Sequence, residues 1–246
     1  MTEPAVVERT VPAPPNASFW EDLIDIFLSP VAVFRRRQGK SVWPPLLFVA
    51  LSIAVIFFLT FDTLSPIFDA EFTRNAAKQM AANPRLTPEV MEQGRKFAGI
   101  GAKYFSGVVM LITMTILGLF TWLLGKIVGS VATLADAMNI AAWSYMPRVL
   151  GSIAGAVQGL LMDPSKLNSQ LSISLSPARF MDADASNPVL YQIAGRFDLM
   201  TIWVTILLGI GVYVMGKVSK GRAASFAVMI WILGALPALR AAFLAM

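Results

Sequence analysis

An all-α, polytopic membrane bundle of about five transmembrane helices, preceded by an amphipathic cytoplasmic segment, is the fold class this sequence predicts. Three observations predict it. Only 14% of the 246 residues are charged and 56% are hydrophobic, whereas an ordinary soluble domain carries roughly a quarter charged residues. So few charges cannot cover a water-facing surface. The mean hydropathy is +0.65. Several long apolar runs are bounded by Lys or Arg, as helix ends beside lipid headgroups are.

Residues 1–17 are polar and Pro-rich (Val11-Pro-Ala-Pro-Pro15) and read as a disordered tail. Acidic Glu3 and Glu8, with no apolar core behind them, exclude a signal peptide. Residues 18–42 form the amphipathic segment. Ser18 and Glu21 have capping-box spacing. Trp20, Leu23, Ile24, Phe27, Val31 and Phe34 recur at helical spacing, with Glu21, Asp22 and Asp25 turned away from them. Ser29-Pro30 divides the segment into two short helices, because proline fits a first turn and not an interior. Such a segment suits an in-plane membrane helix or a partner-docking element, and equally a helix packed on the end of its own bundle.

Residues 43–246 carry the spans. The first runs from Trp43 to about Phe61, the second from about Tyr104 to about Leu124, the fourth from about Leu199 to about Met215 and the fifth from about Ala223 to about Leu244. The third, within Ala132–Met162, is interrupted by Asp136, Asn139, Tyr145, Pro147 and Arg148. It reads as a tilted span preceded by an in-plane stretch, as one helix kinked at the proline, or as a re-entrant piece. With five spans, Arg35–Arg37 with Lys40, Lys126, and Lys217, Lys220 and Arg222 share one side. The positive-inside rule makes that side cytoplasmic, with the N-terminus in and the C-terminus out. Between spans, Thr87-Pro88-Glu89 is a helix-start signal, Leu171-Ser-Ile-Ser-Leu-Ser176 alternates like a short strand, and Asn187-Pro188 opens a helical lead-in to span four.

The chain contains no Cys and no His. That excludes disulfides, zinc sites built on Cys or His and nucleophile–histidine mechanisms. The net charge of +5 comes without a basic stripe interleaved with aromatics, so nucleic acid is not an expected partner. No catalytic, cofactor-binding or metal-ligating residue is expected. Asp136, Asn139, Tyr145, Pro147 and Arg148 remain as candidate functional polar residues. Arg148 either snorkels to the interface or marks a buried pair, with Asp136 or an anionic lipid headgroup as its partner. Gly151, Gly155 and Gly159 stack on one helix face, which fits internal helix packing or a homodimer seam.

Leu28-Ser-Pro-Val-Ala-Val-Phe34 ahead of the basic cluster, Ala132-Thr-Leu-Ala-Asp-Ala-Met-Asn-Ile-Ala-Ala-Trp-Ser-Tyr-Met-Pro147, and Trp203-Val-Thr-Ile-Leu-Leu-Gly-Ile-Gly211 with Lys217–Arg222 together resemble the Yip domain family, Rab-interacting-protein-like membrane proteins, in its bacterial branch. The resemblance runs from about Phe19 to the C-terminus. It implies five spans and a cytoplasmic N-terminus. Eukaryotic relatives act in vesicle traffic through Rab GTPases, a system that bacteria lack. The resemblance brings no catalytic residues. The expected function is therefore a non-enzymatic protein of the bacterial inner membrane that organises protein partners or lipids, with a small-molecule or ion transporter as the alternative. The expected partners are the bilayer and a membrane-protein partner or a second copy.

Overall fold

The computed structural model describes residues 17–83 and 85–243, so the expected tail lies, but for Ala17, outside the described residues. All regular structure among them is helical: α1 (Phe19–Leu28), α2 (Pro30–Arg37), α3 (Trp43–Ala82), α4 (Pro88–Ile127), α5 (Leu134–Ser144), α6 (Met146–Leu161), α7 (Pro188–Arg196), α8 (Leu199–Met215), α9 (Lys220–Leu233) and α10 (Leu236–Phe243), with three 3₁₀ turns between α6 and α7. Among the described residues three stretches are long and apolar enough to cross a membrane: α3, α4 and Lys220–Phe243, which runs through the two-residue turn between α9 and α10. The pair α7 and α8, bent by 53°, makes a fourth if it counts as one span.

At 1.5 Å per residue, α3 and α4 are each about 60 Å long, twice the roughly 30 Å of bilayer hydrocarbon. They pack antiparallel, and chemistry divides each in two. The half of α3 that starts at Trp43 is uncharged, while the far halves are joined by Lys103 to Asp62 (2.9 Å) and Arg95 to Asp69 (2.6 Å). Pro66 lies inside α3 and cannot donate to the carbonyl four residues back. The Ser65 hydroxyl donates to that Asp62 carbonyl instead (2.9 Å), so the helix continues. Thr87 caps α4 through the amide of Val90, as the sequence signals.

One end of the bundle gathers the basic groups. Lys126 donates to the carbonyls of Ser130 and Ala132, Val131 donates to the Gly216 carbonyl, and Arg35 shares a surface hollow with Lys217. This basic end is closed by the α1–α2 hairpin. The capping box of Ser18 and Glu21 forms, and α1 stops at Leu28 before Pro30 starts α2. The orientation of α1 departs from the expectation. Asp22, expected on the solvent face, is fully buried and paired with Arg36 and Arg37, while Trp20, Ile24 and Leu28 are exposed. The ion pairs and the burial of Ile26, Val33 and Phe34 in the core, where α2 packs on α8, win over the simple amphipathic pattern. Phe27 meets the Trp203 ring at 5.9 Å, and Phe19 meets Trp143 at 5.5 Å.

Two further expectations are corrected. Residues 171–176 form no strand. Gln170–Ile173 is a 3₁₀ turn in which the hydroxyl of Ser172 bonds Asn168 and that of Ser174 donates to the Leu171 carbonyl. Serine hydroxyls supply local partners that compete with a sheet ladder. Nor is α5 a helix lying on the surface of the bundle. Its buried residues run from Asp136 through Ser144, including Trp143 and Ile140. Met138 sits over Gly118 of α4 and Ile140 over Gly211 of α8, where added Cβ atoms would come within 2.3 and 2.5 Å of them. The missing side chains let three helices approach closely.

Candidate functional site: a polar cavity where three helices break

Halfway along the bundle three helices are interrupted at one level. The break between α5 and α6 falls at Tyr145, with Pro147 in the first turn of α6. The break between α7 and α8 falls at Phe197-Asp198, and that between α9 and α10 at Gly234-Ala235, followed by Pro237. Proline in a first turn starts a helix without needing its missing N–H. Measured from Leu134, Met215 and Lys220 at 1.5 Å per residue, Arg148, Thr201 and Gly234 each lie about 21 Å from the basic end. A cavity of about 410 Å³ opens there. Its walls are α3 (Ile56, Phe57, Thr60), α6 (Arg148, Ser152), the 3₁₀ segment (Gln170, Ser174), α7 (Gln192, Arg196), the start of α8 (Asp198, Thr201) and α10 (Ala238).

Two arginines and one aspartate set its electrostatics. Asp198 caps α8, accepting at Oδ1 from the Thr201 amide (2.9 Å) and hydroxyl (3.1 Å) and at Oδ2 from the Leu175 amide (3.0 Å). Arg196 closes the far end of α9, donating from Nε (3.1 Å) and Nη2 (2.6 Å) to the Trp231 carbonyl, with its guanidinium over the Trp231 ring at 5.5 Å. Gly234 leaves room for it, since an added Cβ would come within 2.5 Å of Nη2 and push the guanidinium aside. Arg148 donates from Nη2 to Thr201 Oγ1 (2.6 Å), and its Nη1 lies 3.6 Å from Asp198 Oδ1. Its Nε is buried with no hydrogen-bond partner. Side chains thus satisfy the start of α8 and the end of α9, while the break at Tyr145 has no side-chain cap, and one positive charge remains in excess.

The sequence-derived candidates separate into two groups. Arg148 lies in this cavity, but its acidic neighbour is Asp198 and not Asp136. Asp136 completes a capping box with Thr133 and accepts from the Gly39 amide (3.4 Å), and Asn139 donates to the Lys40 carbonyl (2.6 Å). Both thus hold the α2–α3 link at the basic end. Asp136 is out of reach because α5 carries it eight residues of rise, about 12 Å by position 144, away from the break. Tyr145 and Pro147 form the break itself. An added Cβ at Gly151, Gly155 or Gly159 would meet Met200 (3.0 Å), Ile173 (3.5 Å) or Leu64 (2.2 Å), so this face is occupied by the chain's own α8, 3₁₀ segment and α3. Arg196, Asp198, Thr201 and Gln192 escaped the sequence reading. The signal for them was Asp198-Leu-Met-Thr201, an N-cap spacing placed directly after an arginine at the head of an apolar run. Among the described residues no group of three or more acidic side chains could hold a metal ion.

Comparison with known proteins places these segments in a family. Membrane protein YknW of Bacillus subtilis (strain 168) is 28% identical over 203 residues, covering 80% of each chain. No solved structure matches. The Yip1 domain matches residues 24–240, a range that takes in the second half of α1, α2, the helix breaks and the cavity. With that much of its length covered, the chain belongs to the Yip1 domain family of membrane proteins.

Proposed function

We propose that this Yip1-family protein is a non-enzymatic, five-span protein of the bacterial cell membrane that organises lipids or protein partners. In this reading α5 and α6 together make the third span and α7 and α8 the fourth. Ser130 beside Gly216, Ile140 beside Gly211 and Arg148 beside Thr201 support the third, because they run α5–α6 antiparallel to α8 over most of its length. The gathered basic end faces the cytoplasm, which puts the N-terminus inside and the C-terminus outside.

The observation that carries this reading is that the polar cavity ends in an apolar plug. Between it and the basic end stand Trp143, Ile140, Val49, Leu207 and Leu208, none more than 2% exposed. With that end closed, the cavity supports a holding role and offers no continuous path across the bundle. The exposed stripe of Trp20, Ile24 and Leu28 on α1 supports contact with lipid or a membrane partner at the other end.

The alternative, a transporter, draws on the three broken helices, since discontinuous spans surround many substrate sites. Flux through proteoliposomes decides between them. The expected outcome is no uptake of small anions above that of empty vesicles. Uptake that Arg148→Gln abolishes would replace the holding role with transport.

A further inference from the structure

We propose that the Arg148 cavity binds a phosphate-class anion, reaching it sideways from the bilayer between α3 and α10. The inference deepens the proposed function and rests on reading the cavity as a holding site. Three observations carry it. The first is charge: Arg148 and Arg196 face one carboxylate, and that carboxylate is engaged by the Thr201 amide and hydroxyl and the Leu175 amide. An added anion restores neutrality at a depth where uncompensated charge is costly.

The second is geometry. Arg148 Nε is buried and has no partner, and a guanidinium edge suits the bidentate grip of a phosphate. The Gln192 amide offers a further donor on the same lining, while the Ser152 and Ser174 hydroxyls are spent on the Arg148 and Leu171 carbonyls. About 410 Å³ accommodates a phosphate with its glycerol or a small substituent, within the ordinary range of ligand sites.

The third is access. Both α3 and α10 line the cavity, yet α10 packs on α7 and not along α3. The gap between them faces lipid, for Leu236 and Phe243 of α10 and Leu59 of α3 are exposed. Leu64 on the upper wall stands about 31 Å along α3 from Trp43 at 1.5 Å per residue, at headgroup height for a 30 Å slab. Arg148 lies about 10 Å deeper by the same measure, so a phospholipid reaches it by drawing its phosphate down into the gap while its chains stay outside. The same grip serves free phosphate arriving from the loops.

The test uses the full-length protein in mild detergent, with native mass spectrometry after exchange into phosphatidylglycerol or phosphatidylcholine. Retention of one phosphatidylglycerol, at least about tenfold above phosphatidylcholine and lost about tenfold in Arg148→Gln, is the expected result, tenfold being about one charge-assisted contact. Ala238→Trp, an exposed position on the cavity wall, should block the gap and reduce retention while the melting temperature holds; it keeps the test decisive if Arg148→Gln misfolds. Millimolar inorganic phosphate separates the sources: displacement of the lipid assigns the site to a soluble anion, and persistence assigns it to the headgroup. Equal retention of both lipids together with no phosphate-induced rise in melting temperature would overturn the inference. That failure leaves the holding role standing, whereas flux in proteoliposomes would remove the holding role and leave the anion site.

Discussion

Two clusters in this molecule have the same core inventory, two arginines around one aspartate, and opposite fates. At the basic end, Asp22 is fully buried and both its oxygens are taken by Arg36 and Arg37, with Asp25 accepting a further bond from Arg36 at 2.5 Å. Arg37 also lies over Trp143 at 5.4 Å. In the cavity, Asp198 is committed to backbone and hydroxyl donors, so Arg148 reaches it only at 3.6 Å and leaves Nε unpartnered. Composition does not distinguish a latch from a site. Each cluster leaves one guanidinium nitrogen without a partner, Arg37 Nη2 and Arg148 Nε. What distinguishes them is that Asp22 gives both its oxygens to arginines, whereas Asp198 gives its own to the α8 cap and the Leu175 amide.

The comparison can be broken most forcefully at the latch. Asp22→Ala leaves Arg37, at 21% exposure, without its acid and Arg36, at 12%, with Asp25 alone. Removing one partner of a buried ion pair costs about 3 kcal/mol or more, read as a fall in the unfolding midpoint in detergent. If Asp22→Ala unfolds no earlier than wild type, the hairpin is not latched by charge.

Next in size is the contact between α6 and α3. Gly159→Leu drives a side chain into Leu64 and should cost about 2 kcal/mol by overpacking, with the oligomeric state unchanged on size exclusion. A change of oligomeric state without loss of stability would assign the Gly151–Gly155–Gly159 face to a partner copy. At the cavity, Asp198→Ala removes the cap of α8 and should cost about 1 kcal/mol. That is less than the loss at Asp22, because Arg148 keeps its bond to Thr201 and stands beside open space.

The smallest effects concern surfaces. Ile24→Ser should shift stability in detergent by less than about 0.5 kcal/mol, as exposed substitutions do, whereas Ile26→Ala, two residues on and fully buried, should cost about 2 kcal/mol or more. Equal effects would return α1 to its expected orientation. The segment over the cavity holds two acids with a pH dependence. Asp163 is held below the usual carboxylate range by the Ser165 hydroxyl and amide, and Asp182 by the amides of Asp184 and Ala185. A lowered folded value means that their contribution is complete above about pH 4 and fades as pH falls through the folded values. Amide exchange in residues 163–186 should therefore be flat from neutral pH to about 5, after correction for intrinsic rates, and rise only below about 4.

Much of the fold was legible where the signal was local. The Ser18–Glu21 box, the stop at Ser29-Pro30, the start at Thr87-Pro88 and the lead-in at Asn187-Pro188 each need only a few neighbouring residues, and each forms. Arg148 was legible as an anomaly, because a charge amid apolar residues is costly wherever it falls. Its partner was not. Asp198 lies fifty residues away, and nearness in sequence favoured Asp136. The strand expected at 171–176 failed for a related reason: alternation describes a strand only if a neighbouring strand exists to pair with it.

The sequence by itself determined that the chain belongs in a membrane, where its helices start and stop, and that histidine and cysteine chemistry is closed to it. Those properties are sums over residues or short-range hydrogen bonds, and they survive any arrangement of the helices. Only the tertiary structure decided which face of α1 turns inward, that α5 is core, and that three breaks meet at one depth around Arg148. Each of these depends on which charges and side chains come together from distant segments, and pairing across the bundle has no local signature in the chain.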